Sequence, residues 1–125
     1  MKKIRIGIDM DGVIANWTKS AIINMNKLWN LNLKEEDITD VRTIDLIKSK
    51  LPELQDKDRV YFYKQVCPPK FFEELEPYPG AIQAVIDLSK IADIVFITKP
   101  LEYKYSAREK LNWLKKYFHF PFLFK

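Results

Sequence analysis

Two aspartates one residue apart follow directly on an apolar run in Ile4-Arg5-Ile6-Gly7-Ile8-Asp9-Met10-Asp11-Gly12-Val13-Ile14. A buried strand that runs into Asp-x-Asp-Gly sets two carboxylates at the carboxyl end of a sheet, where open α/β folds bind their ligands. Successive strand residues face opposite ways, but a chain curling out of the strand turns Asp9 and Asp11 towards one point. Two carboxylates held there repel unless a hard cation lies between them. Mg²⁺ bound through one or two carboxylates plus a phosphate answers that need. The plainer reading is a strand followed by an acidic turn, with Asp11-Gly12 as the turn residues. On these residues alone the two readings stay level.

The elements that must hold these acids can be read from periodicity. Residues 3–8 form a strand. From Ala15 to about Leu31 the apolar residues Ala15, Ala21, Ile22, Met25, Leu28 and Trp29 recur at helical spacing. Residues 34–65 are charged and helical in character, with Pro52 marking a break or a helix start. Cys67-Pro68-Pro69 and Pro77-Tyr78-Pro79-Gly80 bracket the short piece Phe71-Phe72-Glu73-Glu74-Leu75. A helix spans about 80–90, and Ile94-Val95-Phe96-Ile97 is a buried strand ending at Thr98-Lys99-Pro100. A last helix runs from about Tyr105 to Tyr117, and Phe120–Phe124 starts a third strand. Strands alternating with helices imply a parallel sheet with right-handed crossovers. The helical stretch after the first strand–helix unit reads as an insert capping the carboxyl ends of the strands.

Composition narrows the function classes. The 125 residues are enough for one domain with its own core. No stretch is long and apolar enough to span a bilayer, and the basic start is followed by a strand and two acids, not by a signal-peptide core. The formal charge of +4 is modest and its lysines are scattered, which gives nucleic-acid binding little support. The single cysteine, Cys67, excludes an internal disulfide and fits a reducing cytoplasm.

Asp9-Met10-Asp11-Gly12-Val13 resembles motif I of the haloacid dehalogenase (HAD) superfamily of phosphatases, and Thr98 falls where that superfamily keeps its motif II Ser or Thr. Two further stretches, from Phe71 to Ala81 and from Glu109 through Lys110-Leu111-Asn112-Trp113 to Phe118, closely resemble the 5′(3′)-deoxyribonucleotidase family, whose members dephosphorylate deoxyribonucleoside monophosphates. The similarity covers nearly the whole chain. It implies an α/β, HAD-like Rossmannoid three-layer fold in a single domain over 1–125, with core 1–31 and 77–125 and a helical cap over about 32–76. It also implies that Asp9 is the nucleophile, forming an aspartyl-phosphate, and that Asp11 is the general acid and then the base. Mg²⁺ would lie on Asp9 and Asp11, and Thr98, Met10 and Gly12 would meet the phosphate; Lys99, where the family more often keeps a small residue, is a further phosphate candidate because it follows Thr98 directly.

The aromatics Trp17, Tyr61, Phe62, Tyr63, Phe71 and Phe72 are read first as cap core, with at most two of them facing a nucleobase, a contact worth ~1–3 kcal/mol. Phe71 and Phe72 carry the substrate-binding assignment because they lie in the family-like segment. His119, the only histidine, is expected to cap a helix end, and Cys67 to be a small buried residue.

The chain also departs from the pattern. A complete HAD phosphatase continues with a motif III Lys and a motif IV strand ending in acids. This sequence runs to Phe122-Leu123-Phe124-Lys125 with no acid after Glu109. The expectation is an incomplete core, weak Mg²⁺ binding and little turnover. Strand 4–8 is then expected to show an open edge, covered by a second copy of the chain or by a complementing chain. Phosphatase and nucleotide- or phosphate-binding module therefore stand as competing functions.

Overall fold

The computed structural model describes residues 4–99 and 105–125. Lys3, the first residue of the strand expected over 3–8, and Pro100, after the second strand, lie outside the described residues. Three strands, β1 (Ile4–Asp9), β2 (Ala92–Ile97) and β3 (Leu123–Phe124), form one sheet in the order β1-β2-β3. Both pairings are parallel, with Ile4 opposite Ala92, Asp9 opposite Ile97 and Phe96 opposite Phe124. The five helices are α1 (Trp17–Trp29), α2 (Val41–Ser49), α3 (Arg59–Val66), α4 (Ala81–Ser89) and α5 (Ser106–Tyr117). This is the expected HAD-like Rossmannoid α/β arrangement.

Local chemistry sets the helix ends. Asn16, Asp40 and Asp58 each accept a hydrogen bond from a backbone N–H three residues on, starting α1, α2 and α3. Asn30 ends α1 in the left-handed region, at φ 52°. Pro52 opens a 3-10 turn, Pro52–Leu54, so the helical stretch read over 34–65 is two short helices and two turns. At the far end of α5 the capping residue is Phe118, whose N–H reaches Leu114 O. His119 lies one residue beyond it and is exposed, so the expected capping role passes to its neighbour.

The sheet buries one face. Ile8, Ile94 and Phe96 point into a core shared with Met25, Phe62, Val85, Trp113 and Phe118. On the other face Val95 is buried, whereas Arg5, Gly7, Asp93 and Leu123 are exposed and Ile97 is 52% exposed. Among the described residues β1 pairs on one side only.

The chain crosses twice between the sheet and the α1–α3 layer, and the crossings lie side by side. Asn16 N–H donates to Glu76 O at 2.8 Å and Tyr78 N–H to Ile14 O at 2.9 Å, with Ala15 bridged to Pro77. Lys19 and Glu76 close the same junction at 2.7 Å.

Candidate active site

The carboxyl ends of β1 and β2 bring the acids and the threonine together. Asp9 is the last residue of β1 and is exposed. The chain then folds around the Met10 carbonyl, which accepts from the N–H groups of Val13, Ile14 and Ala15 at 3.3, 3.0 and 2.9 Å. That tight loop turns Asp11 back towards the strand ends. It needs Gly12, whose φ of 78° lies in the region that side chains disfavour. Met10 itself is fully buried. The Gly12 N–H is committed to Ala15 O at 2.9 Å, so what Gly12 brings here is loop shape, not a free donor for phosphate.

Lys110, one turn into α5, ties the site together. Its ammonium is 2.8 Å from Asp11 Oδ2 and donates to Thr98 Oγ1 at 2.9 Å and to the Lys99 carbonyl at 3.1 Å. These use all three of its donors. The side chain is 1% exposed and lies 4.8 Å from the centre of the Phe72 ring. Because Thr98 Oγ1 accepts from Lys110, its own hydrogen remains available to donate. Thr98 is in turn fixed by its N–H bonding to Lys125 O at 3.0 Å, beside Lys125 N–H to Phe96 O at 2.9 Å. Lys99 contributes its carbonyl here, and its side chain is exposed.

Burial pushes the Asp11 carboxyl above its ordinary range; the Lys110 charge and hydrogen bond pull it down, and the Asp9 charge raises it again. The net direction is up. Asp11 Oδ1 is buried with no hydrogen-bond partner among the described residues. Two carboxylates, one carrying an orphaned oxygen, suit an oxygen-seeking cation. Among the described residues no group of three or more His, Cys, Asp or Glu converges as a metal site.

An aromatic box borders the acids. Trp17, half-buried, meets Tyr63 at 6.2 Å and Phe71 edge-on at 6.3 Å between ring centres. Phe71 is only 6% exposed and backs Trp17, so Trp17 offers the open ring. Phe72 is fully buried beneath Lys110, which makes it a support for the lysine instead of a stacking face. Phe62 is core, stacked on Trp29 at 5.3 Å, and Tyr61 is exposed. Cys67 is buried as expected; its thiol is pushed up to about 12, mainly by burial, with the Trp17 hydrogen bond opposing.

Sequence reasoning gave Lys110 and its neighbour Glu109 no role, although both fall in the stretch resembling the family. A signal for them exists. Ser106, Glu109, Lys110, Trp113 and Leu114 form the buried stripe of α5, and two charges on an apolar stripe require partners.

Similarity to known proteins fits this geometry. The family described as 5′ nucleotidase, deoxy (pyrimidine), cytosolic type C protein (NT5C) matches residues 2–125. A Staphylococcus epidermidis protein whose name provisionally assigns it as a 5′(3′)-deoxyribonucleotidase is 30% identical over 123 residues, 98% of this chain and 63% of its own length. The human cytosolic-type 5′(3′)-deoxyribonucleotidase is 28% identical over 121 residues, 93% of this chain and 58% of its own. The human mitochondrial 5′(3′)-deoxyribonucleotidase is 43% identical over 56 residues, 42% of this chain and 25% of its own. The chain thus spans less than two thirds of the length of these relatives.

Proposed function

Because the chain belongs to the NT5C family of 5′ nucleotidases, we propose that it binds (deoxy)ribonucleoside monophosphates and hydrolyses their phosphate ester. The observation that carries this reading is the Lys110 ammonium placed between Asp11 Oδ2 and Thr98 Oγ1. It sets one fixed positive charge and one available hydroxyl donor beside a nucleophilic carboxylate, as a phosphate dianion requires.

In this reading Asp9 attacks phosphorus, forming the Asp9 O–P bond as the P–O bond to the nucleoside breaks. Protonated Asp11 passes its proton to the leaving oxygen. Asp11 then takes a proton from the water that attacks the aspartyl-phosphate, which releases phosphate and restores Asp9. The raised Asp11 carboxyl suits the first of these roles. Thr98 holds a non-bridging oxygen, the Lys110 ammonium supplies positive charge beside it, and the Trp17 ring, backed by Phe71, offers a face to the base. Asp9 and Asp11 are the residues that would hold Mg²⁺, which when bound supplies neutralising charge at the phosphate.

A second reading, a phosphate- or nucleotide-binding module with little turnover, is favoured by the Lys110–Asp11 contact, which occupies the proton donor's oxygen. Phosphate release from dUMP, dTMP and dGMP with Mg²⁺, against Asp9→Asn, separates the two. Release that disappears in Asp9→Asn supports the enzyme. Release no greater than in Asp9→Asn, with dUMP still bound, supports the module.

Cytoplasmic placement belongs to the same proposal, as does association through β1 with a second copy or a complementing chain. Nucleic acid has no part in it. Among the described residues no helix is long and apolar enough to cross a membrane.

A further inference from the structure

Glu109 is buried in α5, and its carboxylate reaches a backbone turn of another segment. Oε2 accepts from Lys70 N–H at 2.9 Å and Oε1 from Phe72 N–H at 3.3 Å. These are the two amides flanking Phe71. Lys70 sits at φ 74°, a conformation that a residue with a side chain adopts at a cost. Alternate N–H groups around a left-handed residue form a concave site for an anion, and here the anion is a side chain of the protein. The carboxylate therefore balances the strain at Lys70 and fixes the direction in which Phe71 leaves the backbone.

The same helix fastens the rest of this segment. Asn112 donates to Glu73 Oε1 at 2.6 Å, and Trp113 Nε1 donates to Leu75 O at 2.8 Å. One residue along from Glu109, Lys110 reaches Asp11 and Thr98. Adjacent residues of α5 thus address two ends of one site. Lys110 serves the phosphate end, and Glu109 serves the ring that backs Trp17.

We propose that Glu109 is a positioning residue for nucleobase recognition, gripping the Lys70 and Phe72 amides so that Phe71 holds Trp17 in register with the lysine at the phosphate end. The inference rests on the nucleotidase reading and assigns it a specificity element outside the reacting atoms. A glutamine at 109 keeps the volume but turns one acceptor into a donor facing an N–H, so the grip fails while the helix stays filled.

The experiment compares wild type, Glu109→Gln and Phe71→Leu by calorimetric titration with dUMP and with inorganic phosphate, together with amide hydrogen exchange. Glu109→Gln is expected to weaken dUMP binding about tenfold, the weight of one charge-assisted hydrogen bond. Phosphate binding is expected to hold within about twofold, because Lys110 is untouched. Exchange at the Lys70 and Phe72 amides should accelerate while the amides of α5 stay slow. Phe71→Leu should reproduce the dUMP loss without faster exchange at Lys70. Equal weakening of both probes, no weakening of either, or unchanged protection at both amides overturns the proposal. Binding of neither probe by the wild type removes the nucleotide reading, and the exchange result then still decides whether Glu109 holds the turn.

Discussion

Lys110 is a charge placed where only its partners make it tolerable. An ammonium that is 1% exposed persists because Asp11 supplies a counter-charge and because Thr98 and the Lys99 carbonyl use its remaining donors. Lys110→Met removes both influences that lower the Asp11 carboxyl and leaves burial and the Asp9 charge, both of which raise it. The Asp11 titration, followed by carboxyl carbon NMR, is therefore expected to move further up in the variant. A group raised on folding stabilises the fold fully below its unfolded value of 3.8, and that stability is lost as pH rises through the folded value. Near pH 7 the variant should accordingly lose roughly 3 kcal/mol, as when one partner of a buried ion pair is removed, and regain part of it on acidification. Unchanged Asp11 titration would show that the two groups do not interact in solution. At this scale the sequence exposes Asp9, Asp11 and Thr98 because each stands at or just past the end of a legible strand. Glu109 and Lys110 stay hidden because their partners lie 11 to 99 positions away along the chain, a distance that periodicity does not bridge.

Among the elements, β1, β2 and the helices α1, α4 and α5 are readable because each carries one clear period over its length. The third strand, expected over Phe120–Phe124, is cut to Leu123–Phe124, since Phe118, Phe120 and Phe122 pack as a ring cluster around Phe96. The stretch 34–65 was readable only as helical, because its breaks come from Asp and Pro caps within a charged background. The helix that organises the site is α5, and its hold on the segment 70–75 can be tested without touching the acids. Trp113→Phe keeps the buried ring but leaves the Leu75 carbonyl without its indole donor. The expected cost is about 1–2 kcal/mol, read as a fall in Tm of roughly 4–8 °C for a domain of this size. Phosphate affinity should stay unchanged, since Lys110 and Thr98 keep their contacts. A large loss of phosphate affinity would mean that α5 shifts as a body when its hold on this segment loosens.

Among the described residues the molecule presents a parallel sheet with one face covered, the other largely exposed, and β1 paired on one side only. Parallel sheets are ordinarily covered on both faces, because crossover helices fall on each side. Here Arg5, Gly7, Asp93, Ile97 and Leu123 line an exposed face, and Ile4, at the start of the edge strand, is 72% exposed. Ile97 lies across β1 into the space that Gly7 leaves, where an added Cβ would stand 2.7 Å from its Cδ1. Ile97 thus lays an apolar strip across part of the exposed face, beside the edge of β1 that is unpaired among the described residues. An unpaired parallel edge bordered by isoleucine is a template for another strand. The 125-residue chain is therefore expected to associate, with a mass by light scattering that rises with concentration. Ile97→Lys sets a charge on the strip without entering the core and should hold the chain at the monomer mass with its Tm within about 2 °C, as for an exposed substitution. A wild-type chain that stays monomeric across the concentration series would show that edge and face are compatible with water as they stand. Association that persists undiminished in Ile97→Lys would move the contact to another surface. The open aromatic groove lined by Leu111, Phe118, Phe120 and Phe122 is the next one to examine.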